Sequence, residues 1–203
     1  MEIKLIIFFI IAYLMGSIPT GVIIGKKFKG LDIREHGSKN TGATNAYRVL
    51  GKQYGIIVLL ADALKGYLPV FFASLVGLSG WHLILVGLIT IVGHTLSIFL
   101  KFKGGKGVAT SLGVFLYLVP KIVLILLVVF ILIAFFTKYV SLASVSAAGL
   151  FPILVLFMPV KESLGKWNIF GFALIIALFV IFKHRSNIER LLHGNENKFG
   201  AKK

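Results

Sequence analysis

The chain has no cysteine and only seven acidic residues among its 203. The first absence excludes disulfides, thiol redox chemistry and thiolate metal sites outright. The second, with five scattered histidines, leaves too few convergent ligands for a metal centre. Polar segments are scarce as well. Apart from a basic tail after Lys183, no linker or low-complexity stretch interrupts the apolar runs, so one domain over 1–203 is expected.

What fills the chain instead is hydrophobic residues, 58% of the total, with a mean hydropathy of +0.96. Soluble domains carry about half, so the composition implies a polytopic membrane protein. The first run, IKLIIFFIIAYLMGSIPTGVIIG, is too long for a signal-peptide core and lacks a basic n-region and an A-x-A cleavage site; it is expected to be retained as a span. The expected fold class is an all-α integral membrane protein with seven transmembrane helices, some short or tilted, over 3–24, 54–77, 81–100, 108–119, 122–136, 140–159 and 167–183. The fourth and fifth are separated at Pro120-Lys121, where a reversal fits.

The net charge of +15 forms no helical stripe, which argues against nucleic acid. Seventeen of the 22 Lys/Arg fall in loops 25–53 and 101–107, at Lys138 and in the tail, all on one side of the seven-span arrangement. The positive-inside rule puts that side in the cytoplasm, with the N-terminus outside and the C-terminus inside. Any single loop lysine is as well explained by anionic membrane lipid.

Lipid attraction does not explain the glycines. Four polar patches share the cytoplasmic face: GSIPTG (16–21) running on to GSKNTGATNAYR (37–48), FKGGKGVATS (102–111), KYVSLAS (138–144) and HRSNIERLLHGNENK (184–198). Glycine permits close backbone approach, Ser, Thr and Asn supply neutral donors, and Lys and Arg supply charge, an inventory suited to phosphate. No nucleotide motif accounts for it, because Thr20, Ala46, Leu100 and Val160 stand where a G-x-x-x-x-G-K motif needs its first glycine, and there is no G-x-G-x-x-G. An H-x-x-x-x-D acyltransferase motif is missing too: the residues five beyond the histidines are Thr41, Gly87, Phe99, Glu189 and Lys198.

GSIPTG, the GATN segment, GH followed by FKGGKGVAT, and HRSNIERLLHGNENK, in this order and spacing, resemble the PlsY family of acyl-phosphate-dependent glycerol-3-phosphate acyltransferases. The resemblance covers nearly the whole chain. It implies transfer of a fatty acyl group from acyl phosphate to sn-glycerol 3-phosphate, giving lysophosphatidic acid and phosphate, at the cytoplasmic face of a bacterial inner membrane. It implies no cofactor or metal, and as partners the two substrates, membrane lipid and the enzyme that makes acyl phosphate. Two positions depart from the family pattern: Lys39 stands where Gly is usual, and Ser97 where Pro is usual.

The residues suit that reaction. A mixed anhydride already has a good leaving group, so the site must mainly position a hydroxyl and stabilise two phosphates and an oxyanion. Ser38, Arg48 and Lys106 are expected on glycerol 3-phosphate, with Thr44 and Asn45 orienting its hydroxyls. Lys103, the N–H groups of Gly104, Gly105 and Gly107, Ser141 and His184 are expected on the acyl phosphate. His184, Ser141, Lys106 and Asn187 form the catalytic set, Asn187 in support. Either His184 or the departing phosphate takes the hydroxyl proton. Ser141 and Ser144 stand at a helix entry, where serine more often caps than binds a ligand; Asp62 and Lys65 read better as a structural ion pair, and His94 either packs or orients the FKGGKG loop. A transporter of organic phosphate or another anion is the competing function; its sites would collect near mid-membrane instead.

Overall fold

The computed structural model describes residues 2–200; Met1 and the tail residues 201–203, with the cations Lys202 and Lys203, lie outside them. The described residues are helical with no strand. Two units are compact by themselves, one ending at Tyr117 and one starting at Leu118.

In the first unit, α1 (Glu2–Ser17) and α2 (Thr20–Lys29) replace the single span expected over 3–24. They meet at a 41° bend because Pro19 has no N–H to continue the ladder, and the Ile18 carbonyl accepts the Thr20 N–H at 3.0 Å across the break. Ile3, Ile6, Ile7, Ile10, Ile11 and Leu14 line one exposed face of α1, while Ala12, Gly16 and Ser17 are buried on the other. That buried face meets α5 (Trp81–Thr95) so closely that a β-carbon on Gly16 would overlap the Thr90 carbonyl, and one on Gly93 the Tyr13 carbonyl. Hydrocarbon gives helices no hydrophobic reason to associate, so backbone-to-backbone packing of this kind has to hold them. Polar ties finish the seam: Ser17 Oγ donates to Gly93 O at 3.2 Å and Tyr13 Oη to Leu96 O at 2.8 Å.

After α2 and a loop come α3 (Ala43–Leu50) and α4 (Lys52–Leu75). A 3-10 turn, Ile98–Leu100, follows α5, and α6 (Val108–Leu118) follows the glycine loop. Eleven residues rise only about 16 Å, half a hydrocarbon core, so the expected fourth span falls short. Protein covers it instead: β-carbons on Gly66 of α4 and Gly113 of α6 would overlap the Thr110 and Ala63 carbonyls, and Thr110, Val114 and Phe115 are buried.

The second unit holds α7 (Pro120–Thr137), α8 (Val140–Phe157), α9 (Lys166–Lys183) and α10 (Arg185–Leu192). The break expected at Pro120 is present, with proline in the first turn of α7, where its missing N–H costs nothing. By length and composition five described helices can cross a membrane, or six if α1 and α2 form one bent span. The expected count of seven exceeds that, and α6 is the difference.

Candidate active site

Polar residues gather into one cluster in each unit. In the first, Asn45 is almost fully buried at the start of α3. Its amide nitrogen donates to the carbonyls of Ile33, His36 and Asn40 at 2.7, 3.1 and 2.8 Å, and its oxygen accepts from Ser38 N at 2.8 Å. The side chain expected to orient substrate hydroxyls is therefore engaged in folding the loop that presents Ser38. Thr44 and Arg48, both half-buried, stand four apart on α3 and share a face. Lys39, where the resemblance expects glycine, has φ 57°; the lysine adopts the left-handed turn that a glycine would adopt without strain. At the same loop's start, Arg34 grips Asp32 through two hydrogen bonds of 2.9 and 2.6 Å. That guanidinium holds the Asp32 carboxyl well below the usual carboxylate range.

The FKGGKG loop is fastened to the end of α5. Gly104 N donates to Thr95 O at 3.1 Å and Gly105 N to His94 O at 3.2 Å. These are two of the N–H groups expected to cradle phosphate, and the expectation is corrected here: they seat the loop. A β-carbon on Gly104 would overlap the His94 carbonyl, and one on Gly105 the His94 ring at Nε2, so close approach is the reason for both glycines. Only Gly107 among the three has positive φ, 83°, and its carbonyl accepts the first bond of α6, from Ser111 N at 2.7 Å. The donors this loop presents to an anion are then Lys106, half-buried, and the first-turn N–H groups of α6, which helix geometry leaves without an intrahelical acceptor. Lys103 is exposed. Ser97 has φ −63°, the angle a proline would fix, and its hydroxyl donates to Ser17 O at 2.5 Å; the substitution keeps the turn and adds a tie to α1.

Behind the loop lies a small cavity of about 10 Å³, lined by Ser17, Thr20, Thr41, Asp62, Lys65 and His94 among others. Asp62 and Lys65, read in the sequence as a pair, are paired: Lys65 Nζ is 2.7 Å from Asp62 Oδ1. They are also joined by residues that spacing could not associate with them, Thr20 and Thr41.

In the second unit, Ser141 opens α8 and His184 stands between α9 and α10, with Asn187 one turn on; all three are buried. His184 Nδ1 lies 2.8 Å from the Val180 carbonyl, which puts the ring proton on Nδ1 and the lone pair on Nε2. Glu196 is the residue sequence reasoning missed. Its carboxylate accepts from Ser141 Oγ at 2.9 Å, Asn187 Nδ2 at 2.7 Å and Arg190 Nε at 2.7 Å, while Phe199 N donates to Lys138 O at 2.7 Å. Burial pushes its acidity one way, but the hydrogen bonds from Asn187, Arg190 and Ser141 outweigh it and hold the carboxyl below its ordinary value. One of only two acids in a basic tail was the available signal.

A family model described as glycerol-3-phosphate acyltransferase matches residues 6–194. The chain belongs to that family. A glycerol-3-phosphate acyltransferase of Fusobacterium nucleatum is 56% identical over 192 residues, 95% of this chain and 96% of that one. The glycerol-3-phosphate acyltransferase of Trichlorobacter lovleyi is 49% identical, covering 94% and 95%. Crystal structures of PlsY, an integral membrane glycerol 3-phosphate acyltransferase, resemble the chain with TM-scores of 0.87 in the glycerol 3-phosphate form and 0.85 in the lysophosphatidic acid form. Both are 40% identical and cover 97% of this chain, with 96% and 95% of their own chains matched. Membership in a glycerol-3-phosphate acyltransferase family decides between the enzyme and the anion transporter.

Proposed function

We propose that this glycerol-3-phosphate acyltransferase takes its acyl group from acyl phosphate and gives lysophosphatidic acid and phosphate. The observation that carries the reading is likeness over 97% of the chain to PlsY in both a substrate and a product form. Family membership across 6–194 also supports treating the whole chain as one functional domain.

Ser38, Thr44, Arg48 and Lys106 bind glycerol 3-phosphate, with Asn45 holding the loop that carries Ser38. Lys103, the loop around Gly107, Ser141 and His184 meet the acyl phosphate. The substrate hydroxyl oxygen attacks the acyl carbon, a C–O bond forms, and the bond from that carbon to the phosphate oxygen breaks with its electron pair going to phosphate. The hydroxyl proton ends on the departing phosphate or on His184 Nε2, and Asn187 supports that histidine. Cation and N–H donors stabilise the tetrahedral oxyanion more than the ground state, which is where the rate gain arises.

The substrates reach the site from the cytoplasmic face of a bacterial inner membrane. Placing 17 of 22 Lys/Arg there supports an outside N-terminus and an inside C-terminus; α6 then counts as a short crossing shielded by α4. An enzyme that makes acyl phosphate is the natural supplier of this donor.

Purified protein in detergent, given palmitoyl phosphate and glycerol 3-phosphate, should release phosphate and lysophosphatidic acid in equal amounts. Palmitoyl-CoA should not replace the donor, since the H-x-x-x-x-D motif of acyl-CoA-type acyltransferases is missing from the sequence. Comparable turnover with palmitoyl-CoA would sink the donor assignment.

A further inference from the structure

Asp62 is more than half of an ion pair. Its side chain is 1% exposed, in the middle of α4, where an isolated charge in a membrane protein is costly unless it is paired. Lys65, one turn along the same helix, would suffice for that. Yet the same carboxylate also accepts a hydrogen bond from the Thr20 hydroxyl at the start of α2 and faces His94 Nδ1 of α5 across 3.9 Å. Lys65 Nζ in turn donates to the Ile18 carbonyl at the bend, at 2.7 Å, which also accepts the Thr20 N–H at 3.0 Å. Three helices thus converge on one carboxylate, and the two that join α4 carry the GSIPTG patch and the end of α5 that seats the glycine loop.

His94 is the link to that loop. Its carbonyl accepts the Gly105 N–H at 3.2 Å, and its ring fills the space a side chain at Gly105 would take, with Thr41 Oγ1 3.1 Å from the same point. A carboxylate on the Nδ1 side favours the proton there and turns the lone-pair edge of Nε2 toward Gly105. Ring tautomer, ring orientation and loop position are therefore set together from inside α4.

We propose that Asp62 is a positioning residue for the glycine loop, acting through His94, and that it sets the binding of glycerol 3-phosphate by Lys106 without touching the substrate. The inference rests on the acyltransferase reading. Asp62→Asn keeps the shape but removes the charge, so the loop loses its registration by a fraction of an ångström to an ångström. Misplacement of that size costs up to about 100-fold.

The experiment measures KM and kcat for glycerol 3-phosphate, with palmitoyl phosphate as donor, together with the unfolding midpoint in detergent. The set comprises wild type, Asp62→Asn, His94→Ala, their double variant and Asp62→Asn/Lys65→Met. An inactive wild type overturns the acyltransferase reading itself; everything else bears on Asp62. Asp62→Asn should lose about 10- to 100-fold in kcat/KM, chiefly through KM, and should also lower the midpoint because Lys65 is left without its carboxylate. His94→Ala should lose as much, and the double variant no more than the worse single, because both act on one linkage. Asp62→Asn/Lys65→Met, with both charges removed together, should regain midpoint under either reading, but a purely structural pair predicts that it would regain activity as well. Recovery of activity in that double variant, or strictly additive losses at Asp62 and His94, overturns the proposal. Should Asp62→Asn fail to fold, the neutral double variant still decides, since the proposal requires it to fold and remain impaired.

Discussion

Gly105→Ala adds one methyl group at the place where the loop meets His94. The new carbon would overlap His94 Nε2, and its other near neighbours, His94 Cε1 at 3.0 Å and Thr41 Oγ1 at 3.1 Å, are also inside the 3.4 Å at which ordinary contact begins. The histidine is 7% exposed and its ring is hemmed by Asp62 and Thr41, so it cannot swing aside. The loop must retreat by about 1 Å, and the Gly105 N–H to His94 O bond lengthens with it. A displacement of that size at a binding group costs about 100-fold in kcat/KM, equivalent to about 2.7 kcal/mol. Gly105→Val should be worse. The assay is steady-state acyl transfer in detergent with saturating palmitoyl phosphate and varied glycerol 3-phosphate, alongside the unfolding midpoint. If overlap with the ring is the cause, the same Gly105→Ala change introduced beside His94→Ala should cost less than about threefold further. Near-normal turnover of folded Gly105→Ala, or an undiminished penalty in the His94→Ala background, would refute the reasoning.

Lys106→Ala should lose at least about 100-fold in kcat/KM, whereas exposed Lys103→Ala should lose about tenfold or less. A lysine that only attracts anionic lipid would contribute about 1 kcal/mol at a membrane and nothing in detergent, so equal, small losses in detergent would make the loop an anchor. Lys39→Gly should raise stability by about 0.5–1 kcal/mol, read as a higher unfolding midpoint, by removing a left-handed lysine. Glu196, with its carboxyl held below its unfolded value, contributes stability that is present above the ordinary carboxylate pKa and is lost as pH falls through the lower folded value; Glu196→Gln should flatten that acid-side fall in midpoint. Single cysteines at Lys39, Lys101 and Lys198 should resist an impermeant thiol reagent in intact cells and react once the membrane is opened; labelling of any one beforehand would overturn the orientation.

The apolar spans were legible because hydropathy is summed over about 20 residues and survives local detail. The break at Pro120 was legible for a covalent reason, the missing N–H. The bend at Pro19 follows from the same chemistry, yet the surrounding run is apolar on both sides and reads as one span. The shortness of α6 was hidden, since glycine contacts with α4, not its own composition, let an 11-residue helix lie there. Residue types at the site were legible and their tasks less so. Asn45 looks like a ligand until the carbonyls of Ile33, His36 and Asn40 are found around its amide, and Gly104 and Gly105 look like a phosphate cradle until the end of α5 takes their N–H groups. Those partners lie up to 12 residues away or on another helix, beyond what spacing reports. Glu196 reaches Ser141 across 55 residues of chain.

The seam between α1 and α5 bears on how the protein is made. Ser17 and Gly93, which tie it, are 76 residues apart, a stretch that takes about 4–15 s to synthesise. Through that interval α1 sits in the bilayer with its small-residue face uncovered, and no earlier helix offers the carbonyl at Thr90 against which Gly16 packs. The glycine loop follows α5 directly, so it emerges only once its docking partner has arrived. A substitution that enlarges Gly16 or Gly93 would thus act first during biogenesis, lowering the yield of inserted enzyme before any change in turnover could be measured.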